Sequence, residues 1–198
     1  MNIGLTQRVL VHNKQAYDST DQAWYRYLEG HTLSFIPNRT NQDFKHLADT
    51  LDCLIITGGD DSPLRHVTEL KIATEMMKQQ KPILGVCHGS FLLQDVLGGT
   101  IELIKDHYNT EHAVYYNNRE FTVNSYHTLS IKLAHGNTIV FDTFGNTEAW
   151  IDGNVAGVTW HPERMTQPWL PAEINNLLYG IQNTNNGLVR SRQNNSSK

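Results

Sequence analysis

Much that would classify a 198-residue chain is missing from this one. No apolar run approaches the roughly 20 residues of a membrane-spanning helix. The start, Met1-Asn2-Ile3-Gly4-Leu5-Thr6, lacks the basic region and long apolar core of a secretory signal, so a cytoplasmic protein is expected. Two cysteines, Cys53 and Cys87, are too few for a disulfide framework and fit a reducing compartment. The formal net charge is −4 and no block of Lys or Arg occurs, which argues against nucleic-acid and membrane-surface partners. Ten histidines are present, but none shows a metal-ligand spacing such as H-E-x-x-H. No metal and no cofactor are therefore expected. Internal repeats are absent. What remains is 39% apolar and 18% charged, the make-up of one globular domain with a full core. That domain is expected over 1–182, followed by an Asn/Ser-rich polar tail, 183–198.

The most informative stretch is 82–93. Ile83 to Val86 reads as a short buried strand, and residues 90–97 read as a helix stopped by Gly98-Gly99. Between them lies Gly85-Val86-Cys87-His88-Gly89, a sharp turn with a nucleophile at its apex. Gly85 and Gly89 suit a place where two backbones come close and a Cβ would clash. A thiol at a helix N-terminus also meets N–H groups and a dipole that favour its anionic form.

The first hundred residues alternate strand and helix. Strands are predicted at 2–6, 32–36 and 53–57, with a polar loop over 7–19. Helices are predicted at 22–28, at 41–50 with Phe44, Leu47 and Ala48 on one face, and from Pro63 to about Gln80 with Val67, Leu70, Ala73 and Met77 inward. The alternation implies an α/β fold with a mostly parallel central sheet and helices on both faces. Its ligand edge is at the carboxyl ends of the strands, where both Gly58-Gly59 and Cys87 fall. After Gly99 short alternating runs and turn residues, among them Asp152-Gly153, predict an added antiparallel β portion and a last helix over 171–182.

A cysteine nucleophile needs a base, and the base needs an orienting acceptor. His161 follows the strand-like run Val155-Ala156-Gly157-Val158-Thr159, and Glu163 stands two residues on, able to fix its tautomer. An oxyanion needs aimed donors. The Gly59 and His88 N–H groups are the candidates.

Taken in order, Gly58-Gly59, Gly85-Val86-Cys87-His88-Gly89, Val123-Asn124-Ser125-Tyr126-His127 and Trp160-His161-Pro162-Glu163 resemble the motifs of class I glutamine amidotransferase-like proteins. Within these, the last two motifs resemble the γ-glutamyl hydrolase branch that acts on γ-glutamyl-γ-aminobutyrate. A closer resemblance is to hydrolases of capsular phosphoramidate synthesis, which remove glutamate from a cytidine-diphosphate amide. The resemblance implies a flavodoxin-like fold and a Cys87-His161-Glu163 triad. It also implies a thioester intermediate, and a substrate site in which Gly58, Asn124, Ser125, Tyr126 and His127 take part. Two positions depart from the family pattern: Phe91 stands where a glutamine is usual, and His88 where an arginine is frequent. Arg8, Arg65 and Arg164 flank the expected active edge and suit the phosphates of a nucleotide-linked substrate.

The expected partner is a small γ-glutamyl amide. A glutaminase subunit would instead need a synthase partner to receive its ammonia. A non-catalytic binding protein on the same fold is the third alternative.

Overall fold

The structure is a computed structural model and describes residues 1–105 and 107–180. The expected tail, 183–198, and the last two residues of the expected final helix lie outside the described residues.

The N-terminal half follows the alternation. Strand β1 (Asn2–Thr6) leads to β2 (Arg8–His12), β3 (Gln15–Ser19) and helix α1 (Ala23–Tyr27). Then come β4 (Thr32–Ile36), α2 (Phe44–Thr50), β5 (Cys53–Ile56), α3 (Pro63–Lys78), β6 (Ile83–Val86) and α4 (His88–Leu97). The C-terminal half adds β7 (Thr100–Leu103), β8 (Tyr108–Tyr116), β9 (Arg119–Tyr126), β10 (Leu129–Leu133), β11 (Asn137–Asp142), β12 (Thr147–Asp152), β13 (Val155–Val158) and α5 (Ala172–Tyr179).

The main sheet runs β4-β1-β5-β6-β13-β12-β11-β8-β9, with β10 and β7 branching from β12. Its first five strands are mutually parallel, and the rest join antiparallel. Strand β13 is the seam. It pairs parallel to β6 and antiparallel to β12, so the antiparallel extension is hydrogen-bonded directly to the strand that delivers Cys87. All four residues of β5, β6 and β13 are buried. That agrees with their unbroken apolar runs, since such strands are covered on both faces. Alternate residues feed two cores: Ile55, Leu84 and Val86 in one, Leu54, Ile56 and Ile83 in the other.

Two expectations change. The polar stretch 7–19 is a hairpin of its own, β2 with β3, closed by Asn13 and Lys14 at φ +49° and +64°. Such turns match the twist of the paired strands. The hairpin is largely exposed, so no buried face marks it in the sequence. Helix α3 is capped by Ser62 with Pro63 first, as expected, but its buried face also takes in polar residues. Its most buried residues are Arg65, Thr68, Glu69, Ile72, Ala73 and Met76; Leu70 and Met77 pack partly buried against the same core, and Val67 is exposed. An internal ion pair draws this face inward, and apolar spacing cannot reveal that.

No helix among the described residues is long and apolar enough to cross a membrane.

The elbow sets the tightest packing. A Cβ on Gly89 would lie 2.2 Å from the Ile56 carbonyl oxygen, and one on Gly85 would lie 2.5 Å from the Gly89 backbone. Neither neighbour is a side chain that can turn away. Gly89→Ala is expected to cost about 1–3 kcal/mol or more, lowering the thermal midpoint by at least roughly 3 °C. Gly145→Ala, where a Cβ meets nothing within 4 Å, should lower it less. Equal shifts in a calorimetric comparison would overturn this reading.

Candidate active site

Cys87 sits at the apex of the β6–α4 turn with φ +50° and ψ −107°. A positive φ outside glycine stores about 1–3 kcal/mol and survives only where the surroundings over-determine it. Here its N–H donates to the Val158 carbonyl at 2.9 Å, and its carbonyl accepts from Ser90 and Phe91 N–H at 3.0 and 3.2 Å. The seam strand β13 and the first turn of α4 thus grip the strained residue from both sides.

Strand β13 then runs into His161. The His161 Nδ1 lies 2.6 Å from Glu163 Oε1, which leaves Nε2 for the Cys87 thiol. Both side chains are almost wholly buried. Burial works against a charged imidazole, but hydrogen bonds to Cys87 and Glu163, and their charges, outweigh it and lift His161 to about 9. Cys53, the other cysteine, is buried in β5 and burial pushes its thiol up to about 12. Among the described residues, Cys87 is the cysteine with an imidazole hydrogen-bonded to it.

Gly58 makes the pairing sterically feasible. A Cβ there would lie 2.3 Å from His161 Cε1, 2.9 Å from its Nε2 and 3.3 Å from Cys87 Cβ. Gly59, at φ +118°, continues the turn. Among the described residues, no acceptor takes the Gly59 or His88 N–H. Both donors are thus available to a ligand oxygen at the mouth of α4.

The floor beneath this turn is ionic. Arg65, fully buried, donates from Nε to Glu69 Oε1 at 2.8 Å and from Nη2 to the Thr57 carbonyl at 2.5 Å. Its Nη1 reaches the Asp60 carbonyl at 3.0 Å. Glu69 also accepts from Thr6 Oγ1 at 2.7 Å and meets His88 Nε2 at 2.9 Å. Burial opposes the Glu69 charge, but His88, Arg65 and Thr6 outweigh it and hold the carboxyl below its usual range. The expectation that Arg65 faces phosphate is therefore wrong: its guanidinium is committed to the turn carrying Gly58 and Gly59. His88 likewise turns its side chain into this network and leaves its N–H at the site.

The run 124–127 divides by strand parity. Asn124 and Tyr126 face a cleft of about 630 Å³, walled also by Glu111, Phe121, Arg164 and Trp169. Asn124 is bound to the His161 backbone at both ends, donating to its carbonyl at 2.9 Å and accepting from its N–H at 2.8 Å. Tyr126 stands edge-on to the His161 ring at 5.4 Å, with the Arg164 guanidinium over its ring at 5.0 Å. Ser125 and His127 are not brought to the cleft. Ser125 donates to the His107 carbonyl, and His127 Nδ1 lies 2.7 Å from the Leu129 carbonyl. Phe91 is buried against His127, so its position offers no polar contact to a ligand. Cys87 is not in the cleft wall. Arg8 lines a small recess with Gly58, His161, Glu163 and Arg164, while Arg164 pairs with Asp21 at 3.0 Å.

The positioning roles of Asn124 and of the Arg65–Glu69 pair were missed in the sequence. An (i, i+4) Arg/Glu spacing is the only local signal, and on a helix it ordinarily marks a solvated face.

Fold and site together define an α/β protein with a cysteine elbow, a buried imidazole and carboxylate, and free N–H donors, an arrangement suited to acyl transfer. Residues 13–181 match the pattern of the family Glutamine amidotransferase class-I, and the chain belongs to that family. It is 26% identical over 181 residues to the glutamine amidotransferase-like protein YvdE of Lactococcus lactis, covering 68% of this chain and 75% of that one. It is 24% identical over 190 residues to the γ-glutamyl-CDP-amidate hydrolase of Campylobacter jejuni, covering 83% and 90%. Among solved structures, a glutamine amidotransferase from Thermotoga maritima superposes with a TM-score of 0.62 at 14% identity, over 82% of this chain and 76% of that one. A glutamine amidotransferase from Methylobacillus flagellatus gives 0.58 at 13%, over 82% and 70%. These likenesses establish the fold. The family and the hydrolase relative support an amide-hydrolysing enzyme.

Two outcomes are expected. In an NMR titration His161 keeps its charge below about pH 9 and loses it as pH rises through that value. Glu163→Gln removes one of the groups that raise it, so the transition should move to lower pH. An unmoved transition would discount the Glu163 contact. Glu69→Ala should cost about 3–5 kcal/mol, since it strands a buried guanidinium. Urea unfolding reads that loss, and a cost near zero would mean the pair is not buried as described.

Proposed function

We propose that this protein is a cysteine-dependent hydrolase that cleaves a γ-glutamyl amide and releases glutamate. A γ-glutamyl-CDP-amidate is the substrate, and cytidine diphosphoramidate for capsule modification is the other product. The observation that carries the reading is the Cys87-His161-Glu163 array held at a strained elbow. One catalytic unit, 1–182, acts in the cytoplasm.

Cys87 Sγ attacks the γ-carbonyl carbon as thiolate. His161, raised to about 9, carries a proton at neutral pH that it can hand on. The Gly59 and His88 N–H groups receive the oxyanion. His161 Nε2 then gives its proton to the departing nitrogen, the C–N bond breaks and a thioester remains. Water attacks the thioester while His161 takes a proton from it, glutamate leaves, and the proton returns the pair to its starting state. Glu163 holds the ring in the tautomer that both steps use.

The cleft beside Tyr126 suits the amine side of the substrate. Phe121 and Trp169 supply aromatic wall, stacked at 4.3 Å, and Arg164 supplies a cation at the end nearest His161. Arg8 lines the small recess that shares Arg164 with the cleft. A cytidine diphosphate offers a flat base and two phosphates to such a surface. The name of the Campylobacter jejuni relative points to the same substrate class.

A panel of γ-glutamyl amides, nucleotide-linked and simple, assayed for glutamate release tests the reading. Cys87→Ala is expected to lower turnover by about 10³-fold or more. The nucleotide-linked amide should be the best substrate. Wild-type turnover in Cys87→Ala would sink the mechanism. Activity on γ-glutamyl-γ-aminobutyrate with none on the nucleotide amide would sink the substrate assignment alone.

A further inference from the structure

The sequence shows no metal-ligand spacing, yet folding gathers histidines that are far apart in it. His107 precedes β8, His112 lies on β8, His127 follows β9 and Glu148 lies on β12. One ligand atom from each of His107, His112 and Glu148 lies within 4.8 Å of the others. His112 Nε2 stands 3.3 Å from Glu148 Oε2, but the pair does not form a hydrogen bond, and both His112 ring nitrogens are buried without such a partner.

His127 stands beside the group. Its ring centre is 5.3 Å from that of His107 and 6.2 Å from that of His112, and the latter two are 4.5 Å apart. Imidazoles bound through nitrogen to one tetrahedral zinc, at about 2.0–2.1 Å, have ring centres about 5 Å apart. The His127 residue is 5% exposed. Its Nδ1 faces the Leu129 carbonyl, which can only accept, so Nδ1 carries the proton and Nε2 carries the lone pair. That Nε2 is buried and has no hydrogen-bond partner. A ligating histidine ordinarily has this arrangement, its far N–H given to a carbonyl. Glu148, in turn, is oriented by the Thr159 hydroxyl.

We propose that His107, His112 and Glu148, with His127 as the fourth ligand, bind one zinc ion inside the antiparallel extension. Three nitrogens and one carboxylate oxygen suit zinc and do not suit calcium or magnesium. The Asp142 carboxylate, 4.0 Å from His107 Nε2, adds negative charge nearby. The ion would tie the β8–β9 hairpin to β12, and through Thr159 to the segment that carries His161. It is independent of the proposed hydrolysis and takes no part in it.

The test titrates chelator-treated full-length protein with zinc chloride, by calorimetry and by NMR of the histidine rings. One ion per chain is expected, bound equally well by Cys87→Ala, which removes the thiol as a competing ligand. His112→Gln should weaken binding by at least about a hundredfold. Zinc should raise the thermal midpoint of wild type and leave that of His112→Gln unchanged. In wild type the ring signals of His107, His112 and His127 should shift while that of His161 stays. This last reading stands even if a variant fails to fold. Absence of stoichiometric binding, binding that survives His112→Gln, or binding lost with Cys87→Ala would each overturn the proposal.

Discussion

Everything at this site depends on one close approach. The β6–α4 turn must pass Cys87 between the β13 carbonyl edge and the start of a helix, and the His161 ring must lie where a side chain on Gly58 would be. Missing Cβ atoms at Gly58, Gly85 and Gly89 open that space. The strain at Cys87 is then held by hydrogen bonds from two directions rather than by the turn itself. Strain of this kind keeps a reactive group in place only if the scaffold around it is stiff. The fully buried strands β5, β6 and β13 supply that stiffness.

Beneath the thiol lies a second constraint of a different kind. Glu69, Arg65, Thr6 and His88 form a buried polar network whose members are each bonded to another or to the turn 57–60. A buried guanidinium without its carboxylate would be costly, so the parts hold or fail together. The network also accounts for the departure at His88. Its ring is an anchor in the floor, while its N–H remains at the site. Arg65, which stands beside the active edge in the sequence, looks inward for the same reason.

The antiparallel extension adds what a parallel sheet alone would not. Joined at β13, it brings β9 across to hold the His161 backbone through Asn124 and to set Tyr126 edge-on to the imidazole. Within β9, Asn124 and Tyr126 face the cleft, while Ser125 holds the His107 backbone beside the histidine cluster. A single strand serves two places because successive side chains point to opposite faces.

The sequence by itself determined the elements and the motifs at their ends. Apolar runs, glycine turns and the Ser62-Pro63 helix start are local signals, and the structure follows them through nearly every strand and helix. The elbow cysteine and the His-Pro-Glu turn were legible because each is a short contiguous motif at a strand end. Tertiary structure alone decided which side chain faces which. The buried polar face of α3, the inward turn of Arg65, the division of 124–127 and the exposed hairpin over 7–19 all depend on which groups are buried together, and local spacing does not encode that. The meeting of His107, His112, His127 and Glu148 has the same origin. Residues on and beside β8, β9 and β12 come together only when the sheet forms, and no spacing along the chain records the distance between them.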